Sequence, residues 1–570
     1  MSQALAPSSH TDTFTRDRLP PQDQWPEFVF DRPELQYPEQ LNCVQALLDD
    51  HIDQGHGDRM AVRGIDATGP MAWTYAQLQS KVNQIAHVLV HDMGLRSGER
   101  LLLRGGYSPM MAACFLAALK AGLVVVPTMP LLRASELKQI LDKAQVKAAL
   151  CDSLLAEELA HCSDPSHAQF ASSLKHTLWF RSFDQEGVEA RMAKHVKEFE
   201  AATTSRDDVC LIAFTSGTTG QPKGTMHFHR DVLAMCDLFP KHVLKMGADD
   251  VVCGTPPIAF TFGLGGLLAF PLRFGACAVL IEKYTPESLL LAIDQYTATQ
   301  CYTAPTMYRQ MAQLVSEKSY AFNLKSLRHT VSAGEALPDA TRQLWKKVTG
   351  IEMTDGIGGT EVIHIYISSA GPEVRAGSIG KVVPGYQAQI VDDEMKPVPC
   401  GTVGRLAVRG PTGCRYLDDP RQTDYVKDGW NLPGDTFVMD ADGYFSYQAR
   451  NDDMIISAGY NIAGPEVEDA LMQHPSIAEC GVVGAADPER GQVVMAFVVL
   501  KTGHAGSPAL EKEIQEFVKQ RIAPFKYQGV WCLAKACRAQ KLASCSASNY
   551  GSKRLPSIQR NKDPKCHKEY

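Results

Sequence analysis

This 570-residue chain has no apolar run long enough to cross a bilayer. A spanning helix needs about 20 such residues. The longest stretches here, such as Gly263 to Leu272, contain proline and glycine and stop at Arg273. The N-terminal MSQALAPSSHTDTFTRD is polar and has no apolar core, so a secretory signal is not predicted. There is no basic excess: 57 Lys and Arg stand against 64 Asp and Glu, for a net charge of −7. A nucleic-acid partner is therefore not expected. The 16 cysteines lack framework spacing, which predicts free thiols and a reducing, cytoplasmic location. No internal repeat is evident.

What is present is enough apolar residue, 45%, for several packed cores. Strand-like runs at Arg100–Leu103, Val124–Pro127, Val209–Phe214 and Ala278–Ile281 alternate with helical patterns. One such helix follows Trp73 and carries Val82, Ile85, Val88 and Leu89. The alternation predicts layered α/β architecture with mostly parallel sheets. A second, smaller unit begins near Asp452. There Pro465 opens a helix with Val467, Leu471 and Met472 on one face. Ala478–Ala485 and Val493–Leu500 read as paired strands. Leu510 to Ile522 reads as an amphipathic helix with Leu510, Ile514, Phe517, Val518 and Ile522 inward.

The most informative segment is Phe214 to Gly224, FTSGTTGQPKG, directly after an apolar strand. A glycine- and hydroxyl-rich loop after a strand presents bare backbone N–H groups and hydroxyls to an anion. Gly217 and Gly220 permit close approach. Thr215, Ser216, Thr218 and Thr219 supply donors, and Lys223 a mobile charge suited to phosphate. The spacing is not that of a Walker A loop.

That string resembles the phosphate loop of the adenylate-forming superfamily, which includes acyl-CoA synthetases, nonribosomal adenylation domains and luciferases. Further motifs follow in the family's order and cover most of the chain. The resemblance implies a large N-terminal α/β domain with a small, mobile α+β C-terminal lid. The expected division is an arm at 1–40, an adenylating body at 41–451 and a lid at 452–527, with a tail at 528–570 that departs from the family.

The family's reaction joins a carboxylate to the α-phosphate of ATP, then passes the acyl group to a thiol. ATP, Mg²⁺ and CoA are thus the implied cofactors. Within Asp355-Gly-Ile-Gly-Gly-Thr-Glu361, Thr360 resembles the phosphate-contacting threonine and Glu361 the magnesium ligand. A hard cation with one carboxylate and substrate oxygens suits that role; a lone Thr-Glu pair also suits helix capping. Thr215, Lys223, Thr360 and Glu361 are the implied catalytic set. Ala333, Gly334 and Glu335 resemble the adenine-side segment. Asp355, Gly356 and Ile357 lie next to the base, although many relatives carry an aromatic there. Asp435 and Arg450 resemble the ribose contacts. Asp452 falls at the family's hinge, and Ser457, Gly459 and Tyr460 resemble the loop lining the pantetheine tunnel.

For the acid, Phe260, Phe262, Gly263, Gly358 and His364 are the candidates for a flat aromatic slot. The phenylalanines would equally suit a core and the histidine a structural place. DGIGGTEVIHIY, LLLRGGYSPM and VVVPTMPLLRASEL look most like benzoate- and 2-aminobenzoate-CoA ligases. The expected substrates are an aromatic carboxylate and CoA, with 2-aminobenzoate favoured. The rivals are an enzyme loading a carrier protein, an adenylation-impaired nucleotide-binding relative, and a ligase for a non-aromatic acid. The oligomeric state stays open, a homodimer among the options.

The family ends in a P-x-x-x-x-G-K segment whose lysine stabilises charge in adenylation. None follows Pro524-Phe-Lys526-Tyr527. From Gln528 onward the chain holds four cysteines, nine Lys or Arg and two acidic residues, with no apolar periodicity. The hypothesis is a shifted reading frame. One permitted codon choice for Cys537 to Gly551, read two bases later, gives PRTETGKLQRFKLR, with its lysine codon straddling Ala543 and Ser544. A gene whose nucleotides cannot encode that frame would sink it. Lys541 or Lys553 as a substitute lysine is the alternative.

Overall fold

The computed structural model describes residues 5–66, 69–215, 221–317, 322–335, 337, 339–450, 455–458, 460–462, 464–487, 490–501, 503–523 and 529–533. Strands form where the apolar runs lie. Arg100–Arg104, Val124–Thr128, Val209–Thr215 and Cys277–Ile281 each match the sequence reading to within one residue.

Two mostly parallel sheets dominate the described residues. One has six strands, in the order His176–Phe180, Ala148–Asp152, Arg100–Arg104, Val124–Thr128, Val209–Thr215 and Lys223–Phe228. It is parallel until the last pair, an antiparallel hairpin. The other has nine strands. Its parallel centre is Thr354–Gly358, His329–Ser332, Gln300–Thr303, Val251–Gly254, Cys277–Ile281 and Met60–Asp66, with antiparallel strands added at both edges.

Between the sheets lies the helix Pro109–Lys120, PMMAACFLAALK. All of its residues are buried, and it packs on strands of both sheets. A helix apolar all round has no face to offer water and must sit inside. The Ser108 hydroxyl caps its start, accepting from Met111 N–H at 3.1 Å, with Pro109 at the first helical position. At its end Lys120 is buried but paired with Asp49 at 2.7 Å, a cation where the helix dipole favours one. The helix Tyr75–His87 starts in a Thr74–Gln77 capping box. It and the following turn bury Val82, Ile85, Val88 and Leu89, as the spacing predicts.

A third sheet, antiparallel, spans 387–450. The C-terminal unit has its own sheet and core, built from Ile455, Val467, Leu471, Val494 and Val498 with Ile514 and Val518 of the helix Pro508–Lys519. Ile477–Asp487 and Gly491–Leu500 pair antiparallel, as read from the sequence. Two expectations are corrected here. Met472 is 46% exposed and does not join Val467 and Leu471; at 100° per residue, a position five beyond Val467 has rotated off the buried face. The sheet also has a strand past Tyr527: Gly529–Leu533 pairs in parallel with Gly491–Leu500, so its edge there is covered. No described helix is long and apolar enough to cross a membrane.

Candidate functional site

The loop that singled itself out in sequence closes a hairpin. In that hairpin Thr215 pairs directly with Lys223, so the returning strand brings the lysine back beside the threonine. Ser216, Gly217, Thr218, Thr219 and Gly220 lie outside the described residues. Lys223 Nζ stands 3.6 Å from Glu361 Oε1 and 5.0 Å from the centre of the Tyr416 ring. The Tyr416 hydroxyl donates to the same Glu361 oxygen at 2.6 Å. Thr360 and Glu361 occupy a short 3₁₀ turn, Thr360–Val362, immediately after the strand Thr354–Gly358. His227 Nε2 anchors that turn, donating to the Thr360 carbonyl at 2.8 Å. The chain then passes through Ile363 at φ +70°. A β-branched residue there is strained, and such outliers concentrate where surrounding structure enforces a geometry. The next residue, His364, lines the cavity described next.

Thr215, Ala333, Gly334, Phe260, Phe262, Gly358, Thr360, His364 and Tyr460 line a single cavity of about 350 Å³. Residues spread over 246 positions thus converge, and four candidate groups from the sequence meet there: phosphate loop, adenine-side segment, acyl slot and lid loop. Ala458, at φ +47°, also lines it. Gly263 does not line it. It is packed under the turn, where a Cβ would fall 2.1 Å from the carbonyl oxygens of Pro256 and Pro257.

The two ends of this region differ in chemistry. At the aromatic end, His364 is packed among Phe239, Phe262 and Phe270, ring centres 4.5 to 5.8 Å away. Burial pushes its imidazole down to about 3, so it is neutral. Its Nε2 donates a long hydrogen bond to the Phe262 carbonyl at 3.4 Å, which leaves Nδ1 an acceptor. That Nδ1 is enclosed and has no hydrogen-bond partner among the described residues. Behind Phe262 stands the buried Tyr302, ring centres 6.0 Å apart.

At the polar end, atoms are enclosed without protein partners among the described residues: Thr215 Oγ1, Glu335 Oε1 and Asp355 Oδ1. Native structures seldom leave such atoms unpaired. Asp355 sits opposite Ser332 across parallel strands, and burial pushes its carboxyl up to about 7. Burial also raises the Glu335 carboxyl, whose Oε2 accepts from Thr306 at 2.9 Å. Gly356 and Ile357 lie on the same strand as Asp355, outside the cavity lining. Asp435 is buried at the start of Asp435–Met439. It and Glu361 both act on the Tyr425 hydroxyl, whose titration is driven far up first by burial. Arg450 pairs with Asp435 through the backbone; its side chain lies outside the described residues, as do Asp452 and Gly459. Ser457 is buried and accepts from Arg490 Nε at 3.4 Å.

Glu361 fits the demand of a magnesium ion for hard oxygen: one carboxylate, with the enclosed Thr215 hydroxyl at the same edge. Elsewhere Cys43, Cys210 and His229 bring sulfur and nitrogen atoms within 4.8 Å of one another. His229 Nδ1 accepts from the Cys43 N–H at 3.2 Å, and its enclosed Nε2 has no partner among the described residues. Twelve of the described cysteines are free thiols.

Sequence reasoning missed Tyr416, Tyr425, His227 and Tyr302. A single tyrosine or histidine far from a motif carries no local signal; only folding sets it against Glu361 or Thr360.

Comparison with known proteins follows the same lines. The model of the AMP-binding enzyme family matches residues 49–415, and that of the AMP-binding enzyme C-terminal domain matches 466–535. The chain is 32% identical to benzoate–CoA ligase of Thauera aromatica over 499 residues, 87% of this chain and 93% of that one. It is 31% identical to the mitochondrial acyl-coenzyme A synthetase ACSM3 of Homo sapiens over 515 residues, 86% of each. Among solved structures it resembles the anthranilate CoA ligase AuaEII in complex with anthranoyl-AMP. The TM-score is 0.69 and the identity 30%, covering 88% of this chain and 94% of that one.

Proposed function

The chain belongs to the AMP-binding enzyme family, and from that premise we propose that it joins an aromatic carboxylic acid, benzoate or 2-aminobenzoate, to CoA using ATP. The observation that carries the aromatic reading is the acyl end of the cavity. Phe260, Phe262, His364 and Ile365 line it, and the buried His364 is neutral. A flat ring suits a slot of such side chains. The strings DGIGGTEVIHIY, LLLRGGYSPM and VVVPTMPLLRASEL favour 2-aminobenzoate within that class.

In the first step a carboxylate oxygen attacks the α-phosphorus, the bond to pyrophosphate breaks, and acyl-AMP forms. Thr215 and Lys223 hold phosphate oxygens. Thr360 is held in place for the same task by His227. Glu361, steadied by Tyr416, would hold magnesium, which neutralises charge developing on the phosphates when bound. As ligands arrive, Lys223 exchanges Glu361 for phosphate. Asp435 and Arg450 take the ribose, and Asp355 with Glu335 lies on the adenine side. In the second step the CoA sulfur attacks the acyl carbon and AMP leaves. Ser457, Gly459 and Tyr460 line the approach, with rotation about Asp452 as the change between steps. On this reading 41–451 is the adenylating body, and the lid runs from 452 through the strand Gly529–Leu533.

The absence of a P-x-x-x-x-G-K segment after Tyr527 favours one qualification of this reading: adenylation is impaired in the chain as it stands. The test is pyrophosphate release with benzoate, 2-aminobenzoate and hexanoate, in this chain and in one carrying the frame-shifted ending. The aromatic acids should outpace hexanoate in the repaired chain and yield CoA-dependent thioester. The unrepaired chain should be slower by on the order of 10² or more. Faster release with hexanoate would sink the aromatic reading, and equal rates in the two chains would sink the impairment. Thioester formation on a carrier protein but not on CoA would favour carrier loading.

A further inference from the structure

The His364 ring is hemmed in. Phe270 meets it edge-on at 4.5 Å, and Phe239 and Phe262 stand 5.8 Å away. Its main chain runs from the positive-φ Ile363 into the paired strand Ile365–Ser368, and so has little room to shift. Behind the ring lies Gly265. That residue has ordinary right-handed helical geometry, φ −65° and ψ −66°, so no backbone conformation demands glycine there. Space does. A Cβ on Gly265 would fall 2.4 Å from His364 Cδ2, 2.7 Å from Nε2 and 2.9 Å from Phe270 Cζ. Carbon atoms in contact stand about 3.5–4.0 Å apart. The imidazole would have to advance by about 1 Å, and the unobstructed direction is the cavity that it lines.

We propose that Gly265 is a specificity-determining residue of the acyl site. Its missing side chain lets His364 stand back, and the depth so created admits an aromatic ring. The inference rests on the aryl-acid reading above and adds the residue that sets the size limit. Gly265 opens a single wide helical turn, Gly265–Ala269, of the π type found often at functional sites. The adjacent Gly266 supplies an internal control. A Cβ there would fall 2.7 Å from Tyr302 Cδ1, a similar steric load on a ring that does not line the cavity.

The experiment is calorimetric binding of two acyl-AMP mimics, benzoyl-sulfamoyl-adenosine and propionyl-sulfamoyl-adenosine, to the full chain. Neither measurement needs the family's C-terminal lysine to turn over. Wild type should prefer the benzoyl compound. Gly265→Ala should lose benzoyl affinity about tenfold or more, a normal consequence of overfilling a packed site, and keep propionyl affinity within about twofold. Gly266→Ala should leave the ratio of the two affinities unchanged. In a His364→Ala background, Gly265→Ala should cost at most about twofold further, because the ring that lines the cavity is gone and only the contact with Phe270 Cζ remains. A Gly265→Ala chain that keeps the wild-type ratio, or loses both compounds alike, overturns the inference alone. Wild type with no preference for benzoyl overturns the aryl-acid reading and the inference with it.

Discussion

The proposed acyl wall lines the cavity, whereas the proposed nucleotide edge reaches it through Thr215, Ala333, Gly334 and Thr360, and the two are finished to different degrees. At the wall, apolar rings pack on one another, and among the described residues there His364 Nδ1 is left without a partner. At the edge, Thr215, Glu335 and Asp355 keep enclosed oxygens that no described residue satisfies, and Lys223 and Glu361 hold each other. Dispersion and burial can complete an apolar slot without a ligand. A site for a highly charged nucleotide cannot be completed so, because the groups that will pair with phosphate must meanwhile be left unpaired or paired with one another. The wall should therefore respond to changes of shape and the edge to changes of charge.

The largest effect expected is at Glu361. Glu361→Gln should abolish the strengthening of ATP binding by magnesium, measured by calorimetry with and without the ion. In a frame-repaired chain it should lower pyrophosphate release by on the order of 10². Benzoyl-sulfamoyl-adenosine should still show its preference over the propionyl compound. If that preference vanished as well, wall and edge would not be separable.

A smaller effect belongs to the wall. Phe262→Ala removes one face of the slot, and loss of an aromatic contact with its burial is worth ~1.5 kcal/mol or more. The benzoyl mimic should bind about tenfold more weakly, with ATP affinity unchanged. A parallel fall in ATP affinity would show that Phe262 supports the whole cavity rather than its acyl end.

The smallest effect is in pH. The Asp355 carboxyl is raised from 3.8 to about 7 by burial, so the folded chain keeps a proton that the unfolded chain releases between those values. Wild-type stability contributed by this group therefore falls as pH rises through that window and levels off above about 7. Asp355→Asn has no proton to release. Its melting temperature relative to wild type should climb between pH 5 and pH 8. His364 has the opposite slope, its folded value lying near 3 against 6.5, so its burial costs stability only as pH falls below about 6.5. An Asp355→Asn difference identical at both pH values would mean that the edge carboxyl is already paired.

Much of this architecture was legible in the chain. Unbroken apolar runs located the strands around Val125, Leu211 and Val279, and helical spacing the helix bearing Val82 and Ile85, since burial of apolar side chains is a local demand repeated along each element. The string FTSGTTGQPKG announced an anion site, because glycine and hydroxyls in sequence suffice to expose donors. Helical reading failed at Met472, one residue past a buried leucine, because a rotation of 100° decides a face and adjacent apolar residues blur it.

Other features depend on residues distant in the chain. Tyr416 meets Glu361 from 55 positions away, and His227 meets Thr360 from 133. Gly265 is an unremarkable helical glycine until His364 is placed against it. The carboxyl of Asp355 and the imidazole of His364 hold ordinary protons in a free chain, and only enclosure moves them in opposite directions. Composition, motif and period are properties of neighbours in sequence and can be read from it. Cavity depth, hydrogen-bond partner and proton affinity belong to neighbours in space, and the packing of the two large sheets and their loops decided those.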